Sequence, residues 1–186
     1  METAKHLETL WAPWRVEYFS RERVNGEDFL GEAAATSDDA AHFVVCRRKN
    51  AFLMLNKYPY SSGHLMVVPY RRTGRMEDLT DEETLDLWHL ATHAQRLLRE
   101  VVKAQGFNVG FNLGTVAGAG YEEHLHLHIV PRWEGDQNFM PVIAGAKVIP
   151  EGLQPLYEKL VTADRAITGL NTPAEAQRRG EDLEKS

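Results

Sequence analysis

Three histidines stand at alternate positions, His124, His126 and His128, in the run His-Leu-His-Leu-His-Ile-Val. A β-strand points successive side chains to opposite faces, so this spacing puts three imidazoles on one face. Leu125, Leu127 and Ile129 then face the other way, toward a core. The chain has eight histidines in 186 residues, and three of them fall here at the strand period. A core has no use for three polar rings in a row, because each buried nitrogen needs a partner.

Three readings of the row compete. It could be the solvent face of a half-buried strand. It could bind a metal, but His124 and His128 lie ~13 Å apart along an extended strand. Zinc takes its nitrogens at ~2.0–2.1 Å, so one straight strand cannot bring all three to one ion, although two of them with a ligand from elsewhere could. The third reading is phosphoryl chemistry. Neighbouring same-face imidazoles stand ~6.6 Å apart at their Cα atoms, a spacing that suits a chain of phosphate oxygens. One neutral imidazole can attack phosphorus while its neighbours donate hydrogen bonds to the oxygens. Gly114 to Gly120, just before the row, is a small-residue loop whose backbone N–H groups can approach an anion closely. By itself that loop equally fits a plain hairpin connection.

The elements that must position these residues form an α+β pattern. Phe43–Cys46, Ala51–Asn56, His64–Pro69 and Phe107–Leu113 read as strands. Residues 57–63 form a loop. A long helix begins at Thr80, with Glu83 completing a capping box, and Gly106 is its expected stop. Leu87, Leu90, Ala91, Ala94, Leu97, Leu98 and Val101 mark its buried stripe. His89 and His93, one turn apart on it, read as a solvated face. Residues 151–163 read as a short second helix, with Leu153, Leu156, Tyr157 and Leu160 on one face.

The expected organisation is an N-terminal arm and loop over 1–40, a domain over 41–163 and a polar tail over 164–186. Trp11 and Trp14 give the arm aromatic anchors that dock on the domain or lie near a ligand. Residues 20–40, charged and then small from Gly31 to Ala35, read as a loop. Residues 134–149 read as an ordered excursion.

Composition excludes several classes. The net charge of −6 argues against general nucleic-acid binding, though not against a nucleotide ligand. The single cysteine, Cys46, rules out an internal disulfide and a Cys-x-x-Cys zinc knuckle. No run reaches the ~20 apolar residues of a membrane span, and the N-terminus carries no signal-peptide core. A cytoplasmic setting without membrane contact is expected.

The run from His124 to Val130 resembles the signature of the histidine triad (HIT) superfamily, His-φ-His-φ-His-φ-φ with φ apolar. LNKYPYSSGHLMVVPYR and FNVGFNLGTVAGAGYEEHLHLHIVPRW are similar to the two nucleotide-binding halves of that family. LWAPWR and WEGDQNFMPVIAGAKVIP are similar to one bacterial branch, the diadenosine tetraphosphate phosphorylase-like proteins. The resemblance covers roughly residues 10–163. It implies an antiparallel β-sheet with a long packed helix and a short C-terminal helix, usually in a homodimer or higher homo-oligomer. It implies a nucleotidyl transferase or hydrolase, with His126 as nucleophile on the α-phosphorus. His128 would contact the α-phosphate and bridging oxygen, His124 would support the nucleophile, and His64 would complete the histidine network. Asn56 would hold the ribose. Asn112 and the loop residues Thr115, Gly118, Ala119 and Gly120 would line the phosphate path. Phosphoramidate or adenylyl-sulfate hydrolysis, and nucleotide binding with little turnover, remain alternatives.

One departure stands out. Many relatives carry a zinc knuckle ahead of the first strand, where this chain has Glu27-Asp28-Phe29-Leu30. Where they place a histidine after the Pro-Tyr-Arg turn, it has Arg72. No cofactor is therefore expected to be required, and structural zinc is expected to be absent.

Overall fold

A computed structural model describes residues 28–136 and 149–169. The Trp11 and Trp14 arm, most of the 134–149 excursion and the tail beyond 169 lie outside the described residues. Five strands form one antiparallel sheet: β1 (Val44–Arg47), β2 (Ala51–Leu55), β3 (Leu65–Pro69), β4 (Gly106–Gly110) and β5 (Leu127–Arg132). Their order is β1-β2-β3-β5-β4, so β5 inserts between β3 and β4. The helices are α1 (Phe29–Ala35), α2 (Asp81–Val101) and α3 (Leu153–Thr168).

Strands β2 and β3 are buried along their whole length because both faces of the sheet are covered. On one face Leu53, Leu55, Leu65, Val67, Leu127 and Ile129 pack against Leu90, Leu97 and Leu98 of α2 and Leu156 and Leu160 of α3. On the other face Val44, Phe52, Met54, Met66 and Val68 pack against Leu30 and Ala33 of α1. The alternation along β2 and β3 sends successive residues to these two layers.

Helix α2 starts as its sequence indicates. The Thr80 side chain accepts from the Glu83 N–H, and the Glu83 carboxylate accepts from the Thr80 N–H. Glu83 also takes two hydrogen bonds from Arg71, whose guanidinium holds its carboxyl down at about 2. The helix ends earlier than Gly106. The amides of Val102 and Ala104 both donate to the Leu98 carbonyl, and Lys103 takes the left-handed turn at φ +54°. Gly106 instead opens β4. Helix α3 runs past residue 163 to Thr168, where left-handed Gly169 stops it.

Two further expectations are corrected. Residues 29–35 are a helix rather than loop. Asp28 caps it by accepting from the Gly31 N–H, and the small residues let Leu30 and Ala33 sit flush on the sheet. His93 does not lie on a solvated face. It is buried between α2 and α3, where its Nε2 meets Asp164 Oδ1 at 2.6 Å. His89 is exposed, as expected.

Candidate active site

The histidine row is only partly strand. Regular pairing of β5 begins at Leu127, so His128 lies in the sheet and His124 and His126 lie on the approach to it. The alternation survives this: Leu127 and Ile129 enter the helical layer, while His128 pairs with Met66 of the opposite layer. All three histidines are buried.

The hydrogen bonds fix which nitrogen of each ring carries a proton. A carbonyl oxygen can only accept. His126 Nδ1 lies 2.9 Å from the carbonyl of His124, so it donates, and Nε2 keeps a lone pair. His124 Nε2 donates in the same way to the carbonyl of Pro69 at 2.8 Å. Its Nδ1 is buried and has no hydrogen-bond partner among the described residues.

His64 and His128 form the second half of the network. The backbone N–H of Tyr60 donates to His64 Nδ1 at 3.1 Å, and Asn56 Nδ2 faces the same atom at 3.3 Å. Two donors there require a lone pair on Nδ1, so the proton sits on His64 Nε2. That nitrogen lies 3.0 Å from His128 Nδ1 and donates to it. His128 consequently carries its own proton on Nε2. The side chain of Asn112 faces that atom at 3.4 Å and the Tyr60 hydroxyl at 3.1 Å. Asn112 Nδ2 donates to the Tyr60 hydroxyl.

The rings stack as well as bond. His126 and His128 meet edge to face with centroids 4.8 Å apart. Tyr60 packs on His64 at 4.7 Å and on His128 at 5.6 Å. Burial lowers the pKa of His124 and of His126, and it lowers His128 to about 4, with His126 beside it adding to the shift. The rings are therefore neutral at neutral pH. The arrangement pairs a lone pair on His126 Nε2 with an N–H on His128 Nε2.

Asn56 is buried at the end of β2. Its Oδ1 accepts from the Tyr58 N–H at 2.8 Å, and its backbone N–H bonds the His64 carbonyl to close the β2–β3 hairpin. Thr115, Gly118, Ala119 and Gly120 belong to a separate tight turn. Left-handed Gly114 and Gly118 bracket a 3₁₀ segment over Thr115–Ala117, and Ala119 is buried. The Gly114 carbonyl accepts from the amides of Ala117 and Ala119, so part of the loop's donor capacity is spent internally. The Thr115 N–H donates to the carboxylate of Glu122 at 3.2 Å, which shows that this donor suits an anion.

Sequence reasoning missed three supports. Tyr60 sets the His64 tautomer and stacks on two histidines; its only signal was an aromatic ring inside the Asn56–His64 loop. The carbonyl of Pro69 holds His124, and backbone groups leave no signature in side-chain spacing. Arg72 bonds Asp28 at 3.1 Å and also Glu123, with its guanidinium over the Tyr121 ring. It thereby ties the start of α1 to the residue before His124.

The chain matches a family model described as HIT domain over residues 37–135. It is 44% identical over 163 residues to the AP-4-A phosphorylase of Mycobacterium tuberculosis H37Rv, covering 84% of each chain. It is 34% identical over 93 residues to the asymmetrical bis(5'-nucleosyl)-tetraphosphatase of Schizosaccharomyces pombe, covering 50% of each. Among solved structures, a histidine triad nucleotide-binding protein from Sulfolobus tokodaii superposes with a TM-score of 0.54 at 29% identity. That match covers 69% of this chain and 85% of the other.

Proposed function

The chain belongs to the histidine triad (HIT) family, and from that premise we propose that it cleaves dinucleoside polyphosphates through a nucleotidyl-His126 intermediate. Diadenosine tetraphosphate is the proposed substrate, supported by the similarity to a phosphorylase named for it. The observation that carries the mechanism is the locked tautomer of His126, which leaves Nε2 as a neutral nucleophile in a buried site.

In the first step His126 Nε2 attacks the α-phosphorus. A P–N bond forms, and the bond from that phosphorus to the bridging oxygen breaks, releasing ATP. The imidazole becomes positively charged, and its Nδ1–H bond to the His124 carbonyl strengthens to meet that charge. His128 Nε2–H faces the reacting phosphate and donates to its oxygens or to the departing oxygen. His124 holds the nucleophile's geometry, His64 and Asn56 keep the proton of His128 on the outward nitrogen, and Asn56 contacts the ribose. In the second step an oxygen of inorganic phosphate attacks the same phosphorus, the P–N bond breaks and ADP leaves. Asn112 and the Thr115–Gly120 turn line the path of the incoming anion, whose charge the turn's backbone donors favour.

No cofactor is needed for these steps. Arg72, Asp28 and Glu123 form an ion-paired cluster where relatives with a zinc knuckle have ligands, and a cationic guanidinium is unsuited to a divalent cation. Zinc held at this cluster, in protein whose Cys46 has been removed, would contradict this. We place the protein in the cytoplasm as a homodimer or larger homo-oligomer. Among the described residues no helix is long and apolar enough to cross a membrane. Strand β4 is a sheet edge with Val109 exposed, which suits pairing with a second copy.

Product analysis with diadenosine tetraphosphate tests the reading. ADP and ATP formed only with added phosphate is the expected result. AMP and ATP regardless of phosphate would make the protein a hydrolase, and absence of turnover on this substrate would refute the substrate assignment.

A further inference from the structure

On the helical face of the sheet, away from the triad, three metal-ligating side chains from three elements converge. Cys46 lies on β1, His93 on α2 and Asp164 on α3, and one ligand atom from each lies within 4.8 Å of the other two. Among the described residues no other group of three such side chains comes this close.

The convergence depends on an irregularity in β1. The register shifts between Val44, opposite Met54, and Cys46, opposite Leu53, so β1 carries an extra residue there. Val44 packs into the α1 layer, and strict alternation would send Cys46 after it. The bulge turns Cys46 to the face of Leu53 and Val45, toward α2 and α3. Bulges recur where a side chain must be re-aimed.

We propose that Cys46, His93 and Asp164 form a site for a borderline-soft divalent cation, of which zinc is the natural occupant. A sulfur, an imidazole nitrogen and a carboxylate oxygen are a zinc donor set, leaving the fourth tetrahedral position for water. In such a site neighbouring ligand atoms stand roughly 3.3–3.8 Å apart, given metal–ligand distances of ~2.0–2.3 Å. The ion would part His93 Nε2 and Asp164 Oδ1 from their present 2.6 Å and draw the thiol inward. Strand β1 is an edge strand and Cys46 is only partly buried, which leaves a way in.

Charge favours occupancy. A bound divalent cation against one thiolate and one carboxylate leaves the buried group neutral. The thiol proton goes to solvent, and the His93 proton moves from Nε2 to Nδ1. The ion would clamp α3 and α2 to the sheet. This departs from the metal-free chain that the sequence suggests, and it is independent of the nucleotide chemistry.

Cobalt(II) titration of the full chain tests it. Cys46 is the sole cysteine, so any thiolate-to-cobalt charge-transfer absorption must come from it. The expected result is a near-ultraviolet band saturating at one equivalent, competed away by zinc, with a raised melting temperature. Cys46→Ser should abolish the band. His93→Gln and Asp164→Asn should each weaken binding by about 100-fold or more, since even loss of an outer partner of a ligand costs about 10–100-fold. His126→Ala should leave the band intact. No thiolate band in the wild-type protein would overturn the proposal, whatever the variants do. So would a band whose affinity survives both His93→Gln and Asp164→Asn.

Discussion

The Nδ1–H of His126 donates to the backbone carbonyl of His124, 2.9 Å away. The residue that opens the triad thus fixes the tautomer of the one at its centre through its main chain, while its own ring is pinned to the Pro69 carbonyl. The proposed nucleophile therefore needs no general base. Its lone pair already points away from the bonded nitrogen, and burial keeps it unprotonated.

That dependence on neutral rings sets a pH response. His128 has its pKa lowered to about 4 from an ordinary 6.5. As pH falls below about 6.5 the unfolded chain binds protons before the folded one does, so stability falls with it. The contribution is complete above about 6.5 and is lost progressively toward about 4. Thermal melts from pH 8 to pH 4 should show the loss in that window. His128→Asn should flatten it, and a wild-type profile level down to pH 4 would count against the buried neutral ring. Turnover should also fall on the acid side as His126 protonates, at a pH below the ordinary imidazole range because burial lowers its pKa.

In the proposed mechanism His64 acts through His128, as a positioning residue. His64→Ala leaves His128 Nδ1 without its donor, so the outward proton is no longer specified. The expected effect is a fall in kcat of about 100-fold with little change in KM, in line with loss of an oriented acid–base group. His64→Gln, which can still donate, should recover part of it. Equal losses in both variants with a raised KM would point to a merely structural role.

Gly74 links the sheet to the triad's approach. A Cβ there would strike the carbonyl oxygen of Glu122, and the neighbouring Thr73 carbonyl accepts from the Leu125 N–H at 2.7 Å. Gly74→Ala must therefore push the 122–125 backbone, at a cost of about 1–3 kcal/mol. Because His124 rides on that segment, kcat should fall as well. Denaturant unfolding and steady-state kinetics together check this. Full activity in a destabilised Gly74→Ala protein would show that His124 tolerates the shift.

Much of the fold was legible in the residues. Thr80 and Glu83 marked the start of α2, the stripe from Leu87 to Leu98 marked its buried face, and three of the strands, β1 to β3, lay within a residue of the β-prone runs, whereas β4 stops at Gly110, three residues short of Leu113. What was hidden depended on tertiary contact. Phe29–Ala35 reads as loop because its small residues carry no stripe; only the sheet face beneath Leu30 and Ala33 makes a short helix worth forming. His93 reads as surface because its partner, Asp164, lies 71 positions further along the chain. At the site, the three histidines and His64 were visible as types at a spacing. The groups that orient them, the Tyr60 amide and the His124 and Pro69 carbonyls, belong to the backbone and are the same in every sequence.

The central claim is that His126 Nε2 carries the nucleotide. Intact-protein mass spectrometry, after rapid mixing with diadenosine tetraphosphate in the absence of phosphate and acid-free quenching, reads this directly. The account predicts a mass gain of one adenylyl group, located on His126 by peptide mapping, absent in His126→Ala, and discharged as ADP when phosphate is added. An adduct on another residue, or wild-type turnover by a folded His126→Ala protein, would contradict it.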